Sequence, residues 1–160
     1  MTELKPLLEQ VRLAVFDFDG VFTDNRVWVG EDGRESLAFS RSDGLGLRRL
    51  DEVGVRYLIV SMEQNAIVGA RAQKLHADCV QGVDDKLAVV RERAGEALEN
   101  VAYVGNDIND AECLRSVGLP VVPADAWPEV KPLARWVLSR PGGAGCVREF
   151  CDAVWEAQRP

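Results

Sequence analysis

The stretch Leu13-Ala14-Val15-Phe16-Asp17-Phe18-Asp19-Gly20 places two carboxylates directly after a run of apolar residues. Such a run predicts a buried strand, and alternate residues of a strand point the same way, so both carboxylates are expected on one side of its carboxyl end. Open α/β sheets bind ligands at this edge. Two carboxylates about 4 Å apart repel by roughly 1 kcal/mol in water and roughly 4 kcal/mol at an effective dielectric near 20, so a cation or a shared proton is expected between them. On its own, the pattern is equally typical of a strand-end turn with solvated acids.

The size and charge of the chain limit the classes of protein to which it can belong. Its 160 residues are enough to bury one core without disulfides, and we predict a single domain over residues 1–160. Lys and Arg number 19 against 26 Asp and Glu, and the formal net charge of −7 disfavours nucleic-acid and membrane partners. No signal-peptide pattern or membrane-spanning apolar run is present, so we expect a cytoplasmic protein. The four cysteines show no CxxC pairing and are expected to be reduced thiols.

Strand-like and helix-like segments alternate along most of the chain. Strands are predicted at 13–16, 55–60, 78–81, 101–104, 119–122 and 136–138, and helices at 44–53, 66–75, 85–98, 111–117 and 147–157. This alternation predicts an α/β fold with a Rossmann-like, mainly parallel sheet flanked by helices. Residues 26–29 and 36–39, on either side of a Gly-Glu-Asp-Gly turn, predict a β-hairpin projecting from the end of the first strand.

Polar residues stand at four predicted strand ends or helix starts: Asp17 with Asp19, Ser61, Lys86, and Asn106 with Asp107 and Asp110. The carboxyl ends of parallel strands converge on one crevice, so these side chains are expected to meet in space. Carboxylate, amide and carbonyl oxygens are the ligands that Mg²⁺ prefers. A lysine and a hydroxyl offer positive charge and a hydrogen bond to a phosphoryl oxygen, so the sequence predicts a phosphoryl-transfer site.

Four segments, in this order, resemble the motifs of the haloacid dehalogenase superfamily of phosphatases: DFDGVFTD, the serine after a buried strand, the lysine of GVDDK, and VGNDIND. From about residue 11 to residue 153 the chain is similar to the branch that contains the 3-deoxy-octulosonate 8-phosphate phosphatases, the nonulosonate 9-phosphate phosphatases and the C-terminal domain of some acylneuraminate cytidylyltransferases. The hairpin, residues 40–44 and the glycine-rich residues 142–149 carry this closer similarity. The resemblance implies a haloacid dehalogenase fold without a separate cap domain, and a homotetramer in which a neighbour covers each active site.

The resemblance also implies a Mg²⁺-dependent phosphatase that acts on a phosphorylated sugar acid. Asp17 would attack phosphorus and Asp19 would transfer the proton, while Ser61 and Lys86 would bind phosphoryl oxygens. Mg²⁺ would lie between Asp17, the backbone carbonyl of Asp19 and Asn106, with Asp107 and Asp110 as further acidic residues of the metal site. The implied substrate-binding residues are Ser40, Arg41, Ser42, Asp43, Gly44, Arg48, Glu63, Arg71, Lys74 and Arg148.

Two departures from the family pattern bear on the metal and the substrate. Position 106 is Asp in many relatives and Asn here, which removes a negative charge, although Asn-Asp is also typical of a helix cap. Glu63 stands where octulosonate phosphatases typically carry an arginine that would pair with a sugar-acid carboxylate, so a nonulosonate 9-phosphate is favoured over the octulosonate 8-phosphate. The alternative is a first-turn glutamate that stabilises the helix dipole, with Arg71 and Lys74 simply solvated.

Two rival functions stay open at this point. A non-catalytic oligomerisation module would have no need for the full set of Asp17, Asp19, Ser61 and Lys86. A signalling receiver domain also combines acids, a hydroxyl and a lysine on a parallel sheet. A receiver carries its phospho-accepting aspartate at the end of a central strand, where this chain has Ser61.

Overall fold

A computed structural model describes residues 3–95 and 97–160. Its strands are β1 (Leu13–Phe16), β2 (Trp28–Val29), β3 (Glu35–Ser36), β4 (Arg56–Ser61), β5 (Asp78–Gln81), β6 (Val101–Val104), β7 (Leu119–Val122) and β8 (Trp136–Val137). Its helices are α1 (Lys5–Gln10), α2 (Ser42–Glu52), α3 (Ala66–Leu75), α4 (Lys86–Ala94), α5 (Ala111–Ser116) and α6 (Cys146–Gln158). Short 3-10 turns lie at Leu98–Asn100, Ile108–Asp110 and Lys131–Leu133.

Six strands form one sheet in the order β5-β4-β1-β6-β7-β8, and every neighbouring pair is parallel. The predicted α/β fold with a parallel sheet flanked by helices is therefore confirmed. Strand β1 is central, with β4 on one side and β6 on the other. Strands β4 and β5 are added on one side of β1, and β6, β7 and β8 on the other. The carboxyl end of β1 therefore lies at a topological switch point, where ligands of open α/β sheets bind.

The alternation of side chains along β1 divides the core between the two faces of the sheet. Ala14 and Phe16 pack with residues of α1, α2, α3 and α6, whereas Leu13 and Val15 pack with residues of α4 and α5. All four side chains are buried. Because β1 is covered on both faces, it is apolar throughout, and its first polar positions come only where it emerges at the edge.

The predicted hairpin exists but is shorter than expected. Only Trp28–Val29 and Glu35–Ser36 pair, in an antiparallel ribbon. The apolar residues after the second strand were expected to be part of an exposed hairpin, whereas Leu37 and Phe39 pack against the core. Burial competes with strand pairing here, because Phe39 lies 5.6 Å, centroid to centroid, from the ring of Phe18.

Helix boundaries differ from the prediction where backbone caps decide them. The helix predicted over 85–98 ends at Ala94, because Gly95 adopts a left-handed conformation with φ 63°. Helix α2 begins at Ser42, two residues before the predicted start, and the residue before it has no capping side chain.

All four cysteines carry free thiols, and three of them are buried. Within the described residues, none of the helices has the length and apolar character needed to cross a bilayer. The cytoplasmic location stays a prediction.

Candidate active site

The two carboxylates of the opening motif lie at the carboxyl end of the central strand, as predicted. The backbone N–H of Asp17 still donates to Val104 O at 2.9 Å, so this residue is fixed to β6 although β1 has ended. Asp17 is buried and Asp19 is half-buried. Gly20 then turns the chain away with φ 77°, and a Cβ there would overlap the Asn106 side chain. Glycine at this position lets the backbone approach the end of β6.

Lys86 lies between two carboxylates, those of Asp17 and Asp110, and forms an ion pair with each. Its Nζ lies 2.8 Å from Asp17 Oδ1 and 2.8 Å from Asp110 Oδ1. Lys86 is the first residue of α4, whose start is fixed by the Asp85 side chain accepting from the Ala88 N–H at 2.9 Å. The three charged side chains are almost completely buried, so the ion pairs are little screened by water.

Burial and neighbouring charges shift the protonation of this centre. Burial raises the pKa of Asp17 to about 8, and the negative charge of Asp110 adds to the effect, while Lys86 opposes it. Although burial disfavours its ammonium form, the same two carboxylates raise the pKa of Lys86 above its usual value. Lys86 is therefore charged, and because one ammonium balances one carboxylate, the raised pKa of Asp17 means that its carboxyl group holds a proton near neutral pH in the absence of a cation. Burial, followed by the charge of Glu63, raises the pKa of Asp19 as well.

Three oxygen atoms face one another beside Asp17 and make the best candidate cation site. The amide oxygen of Asn106 lies 3.2 Å from Asp17 Oδ2 and 2.9 Å from the main-chain oxygen of Asp19, and rotating the amide would turn both contacts into hydrogen bonds. A cation satisfies the same oxygens without rotation. Octahedral Mg²⁺ with ligands at about 2.0–2.1 Å holds adjacent ligand oxygens about 2.9 Å apart, which these separations match.

The donor set is not a cluster of acidic or histidine side chains. Among the described residues, no three His, Cys, Asp or Glu side chains come together in a way that could hold a metal. The candidate site instead combines one carboxylate with an amide and a carbonyl oxygen. Hard oxygen donors of these three kinds are suitable for Mg²⁺, so the residues present fit the predicted ion.

Both carboxylate oxygens of Asp110 accept hydrogen bonds from within the protein, and its part in metal binding stays a prediction. Its Oδ1 accepts from Lys86 Nζ at 2.8 Å and from Tyr103 OH at 2.7 Å. Its Oδ2 accepts from the N–H groups of Asn106 at 2.8 Å and Asp107 at 3.3 Å. Four donors occupy a carboxylate that has about four acceptor sites.

Asp107 has the alternative role that its type favours, that of a helix cap. Its Oδ1 accepts from the Ile108 N–H at 2.7 Å, and with Asp110 it forms a capping box around the 3-10 turn. No contact joins its side chain to the three-oxygen site. Its part in metal binding stays a prediction.

Ser61 joins the two carboxylates in one open cavity of about 460 Å³. The lining residues are Asp17, Asp19, Ser61, Met62, Glu63, Gln64 and Asn109. Ser61 ends β4 and its Oγ accepts from the Glu63 N–H at 3.1 Å, which directs the hydroxyl oxygen toward the loop before α3. The cavity thus combines a carboxylate pair, a hydroxyl and the buried ammonium behind Asp17, which is an arrangement for phosphoryl transfer.

Comparisons with known proteins agree with this geometry. The KdsC 3-deoxy-D-manno-octulosonate 8-phosphate phosphatase of Salmonella typhi is 36% identical over 98% of this chain and 86% of its own length. The solved phosphatase of the same activity from Yersinia pestis has a TM-score of 0.93 and 34% identity, covering 98% of this chain and 86% of that one. This chain belongs to the haloacid dehalogenase superfamily, in the branch of the KdsC phosphatases.

A further structure of this branch was solved with ligands. The 3-deoxy-D-manno-octulosonate 8-phosphate phosphatase of Moraxella catarrhalis, in complex with a magnesium ion, a phosphate ion and a KDO molecule, has a TM-score of 0.92 and 30% identity, covering 99% of this chain and 93% of that one. A search of family models gave no match. The resemblance in the four sequence motifs is confirmed, and the chain is a phosphatase.

The basic substrate-binding candidates of this haloacid dehalogenase phosphatase lie together, but in a different cavity. A second cavity of about 440 Å³ is lined by four basic candidates and by Gly44, together with three other residues. The basic candidates are Arg41, Arg48, Arg71 and Lys74, and the other residues are Phe39, Leu75 and His76. It shares no lining residue with the cavity at Asp17. Within one subunit, these predicted residues are therefore not brought to the carboxylate pair.

The remaining candidates of residues 40–43 surround the start of α2. Arg71 Nη2 donates to the backbone oxygen of Ser40 at 2.8 Å, and the Ser40 and Ser42 hydroxyls lie 2.6 Å apart. Asp43 is buried with neither carboxylate oxygen hydrogen-bonded, and Arg71 Nε is likewise buried without a partner among the described residues. Burial raises the pKa of Asp43 to about 7, against the opposing charge of Arg71.

Arg148, a substrate-binding residue implied by the resemblance, is not brought to the carboxylate pair within one subunit. Arg148 lies in the first turns of α6, and its Nε is 2.6 Å from Asp152 Oδ1 one turn further on. It lines a third cavity together with Ser42, apart from Asp17 and Asp19. The i,i+4 carboxylate on its own helix holds the guanidinium there.

Glu63 lies in the cavity at Asp17, and it precedes α3, whereas the alternative expected it in the first turn of that helix. Its Oε1 accepts from the N–H groups of Gln64 at 2.8 Å and Asn65 at 3.0 Å, just before α3 begins. The carboxylate therefore stabilises the turn that leads into α3, and its charge raises the pKa of Asp19. One side chain serves the local fold and the electrostatics of the site.

Three further residues contact this centre and were missed by the sequence reasoning. Thr23 is buried, and its Oγ1 accepts from the Gly20 N–H at 3.1 Å and lies 3.5 Å from Asp19 Oδ1. Tyr103 donates to Asp110, and Asn109 lines the cavity. A polar Thr inside the DFDGVFTD motif was the available signal for the first. Tyr103 resembled an ordinary strand residue, because its neighbours in β6 are apolar.

Proposed function

We propose that this protein hydrolyses the phosphate monoester of a phosphorylated sugar acid through an aspartyl-phosphate on Asp17. The observation that carries the proposal is the position of Asp17, in contact with Lys86 Nζ at 2.8 Å and in the same open cavity as Asp19 and Ser61. A carboxylate nucleophile, a second carboxyl group two residues on, and a buried ammonium are the parts that two-step phosphoryl transfer needs.

In the first step an oxygen of Asp17 attacks phosphorus, and the bond from phosphorus to the ester oxygen breaks. Asp19 gives its proton to the leaving oxygen, which departs as the sugar-acid alcohol. The raised pKa of Asp19 suits this role, because a general acid must hold its proton at the working pH. Lys86 and the Ser61 hydroxyl bind the phosphoryl oxygens as negative charge develops on them.

In the second step Asp19, now a carboxylate, takes a proton from a water molecule that attacks the phosphorus of the aspartyl-phosphate. The acyl phosphate bond breaks, Asp17 recovers its carboxylate, and inorganic phosphate leaves. Thr23 Oγ1, 3.5 Å from Asp19 Oδ1, restricts the orientation of this carboxyl group in both steps. Dividing one displacement into two lowers the barrier that each must cross.

Asp17 Oδ2, the Asp19 carbonyl and the Asn106 amide oxygen would hold Mg²⁺. When bound, the ion supplies positive charge that neutralises phosphoryl oxygens and favours the ionised form of a neighbouring carboxyl group. The raised pKa of Asp17 supports the same conclusion, because a cation bound here would favour the ionised carboxylate that acts as the nucleophile.

The leading substrate candidate is 3-deoxy-D-manno-octulosonate 8-phosphate, the substrate in the names of the Salmonella typhi and Yersinia pestis relatives. The cavity at Asp17 is lined mainly by polar side chains, which suits a leaving group rich in hydroxyls.

A nonulosonate 9-phosphate is the second candidate, and Glu63 is the observation that favours it. Glu63 presents a carboxylate to the cavity in place of the arginine that would pair with the acid group of the eight-carbon substrate. The Glu63 carboxylate repels a substrate carboxylate placed next to it. A substrate whose carboxylate lies elsewhere, or whose hydroxyls face Glu63, avoids this repulsion and binds more tightly.

We also propose that the protein is a homotetramer in which a neighbour covers each active site. Val27, Trp28 and Val29 are exposed in the hairpin, with 73% of Trp28 accessible. The hairpin contacts the loop between Ser61 and α3, because Asn65 Nδ2 in this loop donates to Glu35 Oε2 of the hairpin at 2.6 Å. An open site and an apolar ribbon next to it are both covered if hairpins pack between subunits.

The function is tested by steady-state kinetics with the eight-carbon 8-phosphate, several nine-carbon 9-phosphates and an aryl phosphate, each with Mg²⁺ and with excess chelator. The aspartyl-phosphate is trapped with hydroxylamine and located by mass spectrometry, with Asp17 as the expected site. Metal-dependent release of phosphate from sugar acids, with the adduct on Asp17, is the expected result. No turnover of any substrate would favour the oligomerisation module, and turnover without an adduct on Asp17 would exclude the covalent mechanism.

A further inference from the structure

Tyr103 is a buried polar side chain that the proposed mechanism does not use. It lies on β6 and ranks among the largest side chains with no solvent exposure. Its ring packs on the α4 and α5 face of the sheet, yet its hydroxyl donates to Asp110 Oδ1 at 2.7 Å. Burial raises the pKa of the Tyr103 phenol well above 10, so it is a donor at any physiological pH.

The acceptor of this bond also holds the catalytic lysine. Asp110 Oδ1 receives both the Tyr103 hydroxyl and Lys86 Nζ, and Lys86 Nζ contacts Asp17 Oδ1 in turn, at 2.8 Å. A continuous line of side chains therefore runs from the hydroxyl of Tyr103 through Asp110 and Lys86 to Asp17. All four side chains are buried.

We infer that Tyr103 is a positioning residue that keeps the Lys86 ammonium in contact with Asp17. This inference rests on the proposed function. Tyr103 does not touch the substrate; it acts through Asp110.

The physical reason is competition for one ammonium between two carboxylates. Lysine carries a compact charge on a flexible stem, so the position of its Nζ depends on the balance between its acceptors. The Tyr103 hydroxyl donates one hydrogen bond to Asp110 Oδ1 and so weakens the attraction between Asp110 and the Lys86 ammonium. Without that donor, Lys86 is the only side-chain donor to Asp110 among the described residues, and its Nζ is expected to shift toward Asp110 and away from Asp17.

The geometry around Asp110 restricts other ways of compensating. Its Oδ2 is already used by two backbone N–H groups, and a Cβ on Gly105 would lie 2.6 Å from the Asp110 side chain. The carboxylate is thus packed against backbone and cannot turn to find another donor. Loss of the Tyr103 hydroxyl is therefore expected to change mainly the position of Lys86 Nζ.

The test is Tyr103→Phe, which keeps the ring that fills the core and removes only the donor. The chain offers a matched control, because it has two tyrosines and the other, Tyr57, also donates to an aspartate, with its hydroxyl 3.2 Å from Asp51 Oδ2 at the opposite edge of the sheet. We expect Tyr103→Phe to lower kcat by about 10- to 100-fold, as loss of a supporting hydrogen bond does at other sites, with KM within about twofold. Tyr57→Phe is expected to leave both unchanged.

Two further readouts separate positioning from a purely structural role. The loss in kcat is expected to be equal for the sugar-acid phosphates and for an aryl phosphate, because Lys86 acts at the phosphoryl end that they share. A crystal structure of Tyr103→Phe is expected to show Lys86 Nζ further than 2.8 Å from Asp17 Oδ1.

The inference is overturned if Tyr103→Phe only lowers the melting temperature and keeps the wild-type kcat. It is equally overturned if kcat falls while the Lys86–Asp17 contact stays in place. An inactive wild-type protein would reject the proposed function instead, and the Lys86–Asp17 distance in the variant would then decide the inference by itself.

Discussion

The side-chain amide of Asn106 lies 2.9 Å from the main-chain oxygen of Asp19, beside the buried carboxylate of Asp17. With its NH2 group turned toward these oxygens the amide donates to both, and with its oxygen turned toward them it completes a candidate cation site. An asparagine at this position would bind a cation with one negative charge less than an aspartate. The affinity for metal and the stability of the metal-free protein therefore depend on the same residue in opposite senses.

Asn106→Asp is expected to lower the Mg²⁺ concentration for half-maximal activity by about tenfold, corresponding to about 1.4 kcal/mol of added attraction. Without metal, the extra carboxylate beside Asp17 is expected to lower the melting temperature. Metal titrations of activity and thermal melts with and without chelator measure the two effects. An unchanged Mg²⁺ requirement would contradict the three-oxygen site.

Asp17→Asn is expected to reduce kcat by roughly 10³-fold or more, because an amide is not a nucleophile. The metal-free variant is expected to be as stable as the wild type or more so, since it removes a buried carboxyl group whose pKa is raised to about 8. Asp84→Asn, at an exposed position, is the matched control for the loss of one charge. If Asp17→Asn turned over like the control, another residue would have to be the nucleophile.

Asp43 predicts a dependence of stability on pH. Its pKa is raised to about 7 in the folded protein from 3.8, so the native state binds the extra proton between these values, and stability falls as pH rises through this window. Asp43→Asn removes this loss, which is worth about 1.4 kcal/mol for each pH unit. The melting temperature of the variant minus that of the wild type is expected to increase from pH 5 to pH 8. A constant difference would mean that Asp43 is ionised throughout and has a partner.

Glu63→Gln is expected to lower the pKa of Asp19, because the charge of Glu63 raises it. Since Asp19 must be protonated to act as the general acid, the fall in rate at high pH would then begin at a lower pH. Glu63→Arg is expected to raise kcat/KM for the eight-carbon 8-phosphate relative to nine-carbon 9-phosphates. Rate profiles and the substrate panel measure both, and equal changes for all substrates would remove Glu63 from the determinants of specificity.

If the protein is the proposed tetramer, Trp28→Glu is expected to convert it into smaller species, because the substitution places a charge at the most exposed apolar residue of the hairpin. Sedimentation velocity at micromolar concentration gives the assembly, and kcat/KM measured on the same samples shows whether coverage by a neighbour matters. Trp127→Glu, also at an exposed tryptophan but outside the hairpin, is the control. A variant that keeps both the mass and the activity of the wild type would refute packing of hairpins between subunits.

The sequence predicted the sheet and the catalytic edge well, for a local reason. The apolar run of β1 is buried on both faces, so its pattern stops where the strand emerges, and Asp17 and Asp19 mark that point. Ser61 and Asn106 follow neighbouring strands, and the rule that parallel strands end at one edge was sufficient to bring them together. Helix ends were less well predicted, because the left-handed backbone of Gly95 outweighs the helical pattern of the residues after it.

By itself, then, the sequence determined the fold class and the edge of the sheet that carries the chemistry. It also determined the four strand-end residues that lie there, namely Asp17, Asp19, Ser61 and Asn106. Each of these depends on spacing along one strand or at one strand end. Only the tertiary structure decided that the Asp110 carboxylate accepts from Lys86, Tyr103 and two backbone N–H groups. It alone placed Arg41, Arg71 and Lys74 in a cavity apart from Asp17. The physical reason is that a hydrogen bond depends on distances of a few tenths of an ångström between side chains far apart in the chain, and spacing in the sequence does not specify these distances.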